Sequence, residues 1–150
     1  MSINTDISKL DDLIVTTIDS IRGYENSADH ADAGRYADFF RSMAGERRNV
    51  VARLQSASRT LGGTPAEYGS AAATLHRRWE DLRHALGGGD VALVKEVARG
   101  EDYLKEEFER ALADDNISAS ARAVIAECFE SVLHGHNRAS ALQQQLEGTH

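Results

Sequence analysis

The sequence predicts an all-α protein built as a four-helix bundle. Apolar residues recur every three or four positions along four long segments, which is the spacing of amphipathic helices. The chain has a single proline and is rich in residues that favour helices. Turn residues are bunched instead of recurring at short intervals, which argues against a sandwich of short strands. Its 150 residues suit one domain, over 1–150.

The first two helices are predicted to form a hairpin. Helix one is expected over residues 6–32, with Asp6 as its N-cap. Helix two is expected over 34–61, because Gly62 follows its last apolar residue and Pro65 stands just beyond, a pattern typical of helix C-termini. A turn this short makes the two helices antiparallel neighbours.

The second half of the chain predicts a short helix followed by another hairpin. The short helix is expected over residues 71–86. Helix three is expected over 90–114, with Asp90 as a cap, and helix four over 118–146, with Ser118 as its cap.

The length of the connection between helices two and three predicts the topology. A helix of this length spans about 40 Å, and residues 62–89 are numerous enough to run back along most of that distance. Two hairpins joined by one long crossover form the ferritin-like arrangement. Trp79 is predicted to be buried and to anchor the crossover helix on the bundle.

Composition excludes several classes of function. The 17 Lys and Arg residues against 24 Asp and Glu residues give a net charge of −7, which disfavours binding to nucleic acid or to anionic membranes. Cys128 is the single cysteine and cannot form an internal disulfide. The sequence shows neither a secretory leader nor an apolar run long enough to span a bilayer, so a cytoplasmic location is expected.

Several short motifs together resemble one known family. They are Gly23-Tyr24, Ala28-Asp29, Glu46-Arg47, Leu61-Gly62-Gly63, Leu75-His76-Arg77 followed by Trp79, Gly100-Glu101-Asp102 and His136. Over nearly the whole chain, this set resembles an uncharacterised bacterial family of ferritin-like four-helix bundles, domain of unknown function 2383. The resemblance implies a ferritin-like fold but no defined activity. The family usually has Glu where this chain has Asp29, whose shorter side chain reaches less far across a bundle.

The predicted interior holds a partial set of metal ligands. Ferritin-like carboxylate bundles bind two metal ions through a Glu from each of two helices and a Glu-x-x-His from each of the other two. Here the residue three after Glu46 is Asn49 and the residue three before His136 is Leu133, so both Glu-x-x-His pairs are missing. One candidate per helix remains, and the four predict at most a site for a single ion of iron, manganese or zinc. These candidates are Glu25, Glu46, Glu101 and His136.

Glu101 is the most informative of these residues, because it interrupts the apolar stripe of helix three. A buried carboxylate must be paired or must coordinate a cation. We expect Glu101 to share a polar layer midway along the bundle with Glu46, His136 and a carboxylate of helix one. Either a metal ion or an interior network of salt bridges would satisfy that layer, and the basic candidates for a network are Arg22, Arg47, Arg99 and Arg138.

Three functions are compatible with the sequence. The preferred interpretation is a non-catalytic bundle that acts by association in stress response or envelope maintenance, as a homodimer. The first alternative is a metal-binding oxidoreductase or iron-handling protein with a degenerate site. The second alternative is a binder of a small apolar ligand. No catalytic residue is predicted, because Cys128 lies on an apolar stripe where its thiol is an inert nucleophile.

Overall fold

The computed structural model describes residues 3–70 and 89–148, which fold into four helices without a strand in those two ranges. This confirms the predicted all-α class. The helices are α1 (Ile3–His30), α2 (Gly34–Thr60), α3 (Asp90–Ala113) and α4 (Ala119–Gly148). The predicted α2 and α3 begin at the observed residues, but each prediction ends one residue too late.

Two helix ends have the local chemistry that the sequence predicts. Gly62 follows α2 with a positive φ of 89°, and the Gly63 N–H donates to the Ser58 carbonyl at 2.9 Å. This is a Schellman motif, which favours glycine because the left-handed backbone penalises a side chain. At the start of α4, the Ala121 N–H donates to the Ser118 hydroxyl at 3.2 Å, so Ser118 is confirmed as an N-cap.

The two predicted aspartate caps are wrong, because each carboxylate binds amides of another segment. Asp6 lies inside α1, is buried, and accepts from the Ser118 N–H at 2.8 Å. Asp90 is itself the first residue of α3 and accepts from the N–H groups of Asp32 at 2.7 Å and Ala33 at 3.0 Å. Both residues therefore join segments that are far apart in the chain.

These contacts establish the directions of the helices. The Asp90 carboxylate holds the start of α3 at the turn between α1 and α2. The end of α3 lies beside the start of α1, where Lys9 Nζ is 3.3 Å from Asp114 Oδ2. Helix α3 is therefore antiparallel to α1 and parallel to α2.

Because α2 and α3 are parallel, the end of α2 and the start of α3 lie at opposite ends of the bundle, and residues 61–89 form the connection between them. The first part of that connection runs along α1, since the Ala66 N–H donates to Asp11 and the Ser70 N–H donates to Asp19, both at 2.8 Å. The predicted crossover helix over 71–86 and the predicted burial of Trp79 lie outside the described residues.

The core consists of apolar side chains from all four helices. Their largest fully buried members are Phe40, Phe108, Leu10, Leu13, Ile14, Met43, Leu54, Leu104, Ile117 and Ile125. Cys128 is also buried, and burial raises the pKa of its thiol, which keeps it protonated and poorly nucleophilic. Among the helices described, none is both long and apolar enough to cross a membrane.

Candidate functional site

A buried ion pair between Arg47 and Glu101 lies inside the bundle and joins α2 to α3. Arg47 Nη2 is 2.6 Å from Glu101 Oε1 and 2.5 Å from Oε2. The two side chains are 0% and 1% exposed. Arg47 Nη1 also makes a long hydrogen bond of 3.4 Å to the carbonyl of Ser131 on α4, so this side chain of α2 bonds to both α3 and α4.

Helical spacing explains why both charges point inward. Glu101 comes four residues after Val97 and three before Leu104, both of which are buried. Arg47 comes four residues after buried Met43 and three before buried Val50. Side chains three and four positions apart share one face of a helix, so each charged residue faces the core together with its apolar neighbours.

Tyr24 on α1 completes this cluster. Its hydroxyl donates a short hydrogen bond to Glu101 Oε1, the oxygen that also accepts from Arg47. Burial raises the pKa of Tyr24 well above its ordinary value; the negative charge of Glu101 adds to the shift, and the positive charge of Arg47 opposes it. Tyr24 is therefore a neutral donor to the carboxylate.

A glycine on α4 makes room for the guanidinium. A Cβ atom added at Gly135 would lie 2.6 Å from Arg47 Nη2 and 2.8 Å from the terminal methyl carbon of Met43. Both distances are too short for non-bonded atoms, so Arg47 could not keep its place opposite a larger residue.

Glu46 and His136 lie in two other pairs between helices. Glu46 Oε1 accepts from Arg138 Nη1 at 2.9 Å, which joins α2 to α4. His136 Nε2 is 2.7 Å from Asp102 Oδ1, which joins α4 to α3. Both pairs are partly exposed, in contrast to the pair between Arg47 and Glu101.

Glu25 lies on the surface, about half exposed, with its Oε2 atom 3.1 Å from Arg48 Nη2. The prediction that Glu25 of helix one joins an interior polar layer with Glu101 is therefore wrong. Successive residues on a helix are separated by about 100°, and the interior position belongs to Tyr24, one residue earlier.

The four candidate ligands are thus held by four different partners. Across residues 3–70 and 89–148, no group of three or more His, Cys, Asp or Glu side chains is placed to hold a metal ion. The negative charge of Glu101 is balanced by Arg47, which would also repel a second cation at that point. This arrangement does not fit a metal centre on Glu101, and metal binding by the four residues stays a prediction.

A cavity of about 350 Å³ lies between α1 and α3 and is partly open to solvent. Tyr24 and Glu101 line its buried side, and Tyr103, which is 57% exposed, lies at its outer edge. Gly23 on α1 and Gly100 on α3 belong to its walls. One side of the buried cluster is therefore close to a space of the size that holds small ligands.

From the sequence, Arg47 was only one of four basic candidates, and Tyr24 was named only within the Gly23-Tyr24 motif. Tyr24 could have been found from its type, because a buried tyrosine usually needs a hydrogen-bond partner for its hydroxyl. The helical spacing of Arg47 from Met43 and Val50 places it, and not Arg48, on the inner face of α2, but no local pattern shows that its partner is Glu101.

Fold and site together define an all-α four-helix bundle with a buried arginine, glutamate and tyrosine cluster. The chain belongs to the family described as a domain of unknown function (DUF2383), whose model matches residues 5–114. The match extends from α1 to the end of α3 and includes all three residues of the cluster. This confirms the predicted domain of unknown function 2383, whereas the ferritin-like character stays a prediction. No curated protein matches the sequence.

Proposed function

We propose that this protein is a ferritin-like bundle that acts by association with another molecule and has no chemistry of its own. The observation that carries the proposal is the ion pair between Arg47 and Glu101. The parallel arrangement of α2 and α3, in which the end of α2 and the start of α3 lie at opposite ends of the bundle, supports a ferritin-like topology.

Arg47 takes the place that a metal ion has in ferritin-like carboxylate bundles. Those bundles direct glutamates into the interior and neutralise them with metal ions. Here the interior glutamate, Glu101, accepts hydrogen bonds from a guanidinium and a phenol. A carboxylate with these hydrogen-bond donors stabilises one defined arrangement of the interior. It offers no free position at which a metal ion could coordinate.

We place this function in the cytoplasm, in a stress-related role, with the chain as a homodimer. The single cysteine cannot form an internal disulfide, so the fold does not require an oxidising compartment. The acidic balance of charges disfavours nucleic acid as the partner. Light scattering of the purified protein tests the oligomeric part. We expect twice the chain mass of 16.4 kDa, whereas a monomer at every concentration would contradict it.

Elemental analysis tests the absence of metal chemistry. Protein purified without added metal, then exposed to Fe²⁺, Mn²⁺ or Zn²⁺ and desalted, should retain far less than one equivalent of any ion. One retained equivalent that is lost in Glu101→Gln would replace the proposal with a metal-handling function.

Metal handling is the second candidate, and two buried atoms favour it. Glu46 Oε2 and His136 Nδ1 are ligand-type atoms that lack a hydrogen-bond partner in the described structure. An ion held through them would be lost in Glu46→Gln and in His136→Ala but retained in Glu25→Gln, whose carboxylate lies on the surface. The elemental analysis applied to these three variants separates this candidate from the first.

Binding of a small ligand is the third candidate. It is favoured by the cavity between α1 and α3, whose volume lies at the lower end of the range of about 300–1,000 Å³ for ligand pockets.

A further inference from the structure

On the basis of the proposed function, we propose that the cavity between α1 and α3 binds a small organic cation, a molecule with an apolar body and one protonated amine. The proposal names a ligand class for a protein that acts by association. It is carried by the shape of the cavity, by the glycines in its walls and by the carboxylates around it.

Both helices carry a glycine in the cavity wall, Gly23 and Gly100. A Cβ atom added at either one would meet no described atom within 4 Å. Neither glycine is therefore needed for close packing of the two helices, although each lowers helix stability relative to alanine by roughly 0.5–1 kcal/mol. Alanine at either position would narrow the cavity and would stabilise the helix. The glycines therefore leave the cavity wider but lower the stability of the two helices.

The walls suit an apolar body. Val97 and Leu104 contribute buried aliphatic side chains, and the buried Tyr24 also lines the cavity. The buried charge of Glu101 is already balanced by Arg47. A ligand that enters this space therefore contacts mostly apolar surface and loses little hydration of protein charges.

Among the residues that the structure describes, the remaining charged groups of the cavity are two carboxylates, Glu96 and Asp19, and one guanidinium, Arg99. Asp19 already accepts from the Ser70 N–H and hydroxyl at 2.8 Å. This described part of the lining therefore carries an excess of negative charge once Glu101 and Arg47 are set against each other. Charge complementarity favours a cationic ligand over an anionic one.

Glu96 is the residue expected to receive the ammonium group. Its Oε2 atom is buried and has no hydrogen-bond partner among residues 3–70 and 89–148. Arg99 Nη1 lies 3.5 Å away, but the Arg99 side chain is 73% exposed, so we regard this contact as a weak, solvent-screened ion pair. Burial raises the pKa of Glu96, and Arg99 opposes that shift. An ammonium that donates to Glu96 would supply the missing bond and favour the ionised carboxylate.

Three probes with the same ring test the ligand class. Benzylamine, benzyl alcohol and benzoate are titrated into the full-length protein, and the backbone amide signals of Gly23 and Gly100 are followed by NMR. We expect benzylamine to shift both signals and to bind about tenfold more tightly than benzyl alcohol, because a charge-assisted hydrogen bond is stronger than a neutral one. Benzoate should shift neither signal.

Three variants test the location. Glu96→Gln keeps the shape of the side chain but removes its charge, so benzylamine and benzyl alcohol should then bind with about the same affinity. Gly100→Leu fills the cavity and should abolish binding of both probes. Gly45→Leu is the matched control, because Gly45 lies on α2 away from the cavity and an added Cβ there also meets nothing within 4 Å. Circular dichroism confirms that each variant is folded.

The outcomes separate the ligand proposal from the proposed function. A cavity already filled by another part of the chain or by a second copy would leave both glycine signals unshifted by every probe, and that result overturns the ligand proposal. Equal binding of the amine and the alcohol overturns the assignment of a cation. If instead the protein retains a metal ion lost in Glu101→Gln while benzylamine binding persists in that variant, the proposed function fails and the ligand site stands.

Discussion

Arg47 on α2 and Glu101 on α3 form an ion pair in the interior of the bundle, with an Nη2–Oε2 distance of 2.5 Å and neither side chain in contact with solvent. This pair explains why a carboxylate interrupts the apolar stripe of α3. Either charge alone would carry a large desolvation penalty, whereas together they compensate each other, and the Glu101 carboxylate also accepts from one further donor, Tyr24. The three residues therefore have to be considered as one unit.

We predict that Tyr24→Phe lowers the free energy of unfolding by about 1–3 kcal/mol at neutral pH. The substitution removes a donor to a charged acceptor and leaves Glu101 Oε1 with Arg47 alone. Urea denaturation followed by circular dichroism measures the change. A loss below about 0.5 kcal/mol would mean that this hydrogen bond does not stabilise the fold.

Tyr24 also predicts a loss of stability at alkaline pH. Its pKa is raised in the folded state above the unfolded value of about 10, so the folded protein holds this proton more tightly. The raised pKa of Tyr24 makes its full contribution to the free energy of unfolding below a pH of about 10. That contribution is lost as the pH rises from there towards the pKa of the folded state. The free energy of unfolding should fall less steeply above that pH in Tyr24→Phe than in the wild type. Tyr103→Phe, which changes an exposed tyrosine, should keep the wild-type slope.

We predict that Gly135→Ala destabilises the protein by about 1–3 kcal/mol, because the new methyl group would overlap the guanidinium of Arg47. The matched control is Gly45→Ala on α2, where an added Cβ meets nothing within 4 Å. That control should be stabilised by about 0.4–1 kcal/mol through helix propensity and a less flexible unfolded chain. Thermal melts of the two variants measure the contrast, and equal behaviour would show that Gly135 is not needed for the placement of Arg47.

Asp6 is predicted to hold the start of α4 against α1. Asp6→Ala would leave the Ser118 N–H without its acceptor and should lower the free energy of unfolding by about 1–3 kcal/mol. Asp6→Asn keeps an oxygen at the same position and should lose less than half as much. Hydrogen exchange at the Ser118 amide checks the cause, since it should speed up more in Asp6→Ala than in Asp6→Asn.

Much of the helical organisation is predictable because periodicity and glycines are local signals. The ends of α2 and α3, Gly62 and Ser118 all follow from residues within one turn. The roles of Asp6 and Asp90 do not, because their backbone partners come from distant segments. The sequence shows that these carboxylates can accept hydrogen bonds but not which amides they meet.

The interior site is predictable in part for the same reason. The burial of Glu101 follows from the apolar stripe of α3. Its partners depend on the rotation of α1 and α2 about their axes, and a shift of one residue distinguishes Tyr24 from Glu25 and Arg47 from Arg48. Residues next to each other in the sequence thus divide between the interior and the surface.

The free energy of unfolding of Glu101→Gln, measured together with its metal content, tests the central claim most directly. We predict a loss of about 3–5 kcal/mol, because the buried guanidinium of Arg47 is left without its counter-charge, and no change in bound metal. Adding Arg47→Met to this variant should restore part of the loss, because it removes the uncompensated charge. A Glu101→Gln protein that keeps its stability within about 1 kcal/mol and loses an ion held by the wild type would contradict the claim that Arg47, and not a metal ion, is the partner of Glu101.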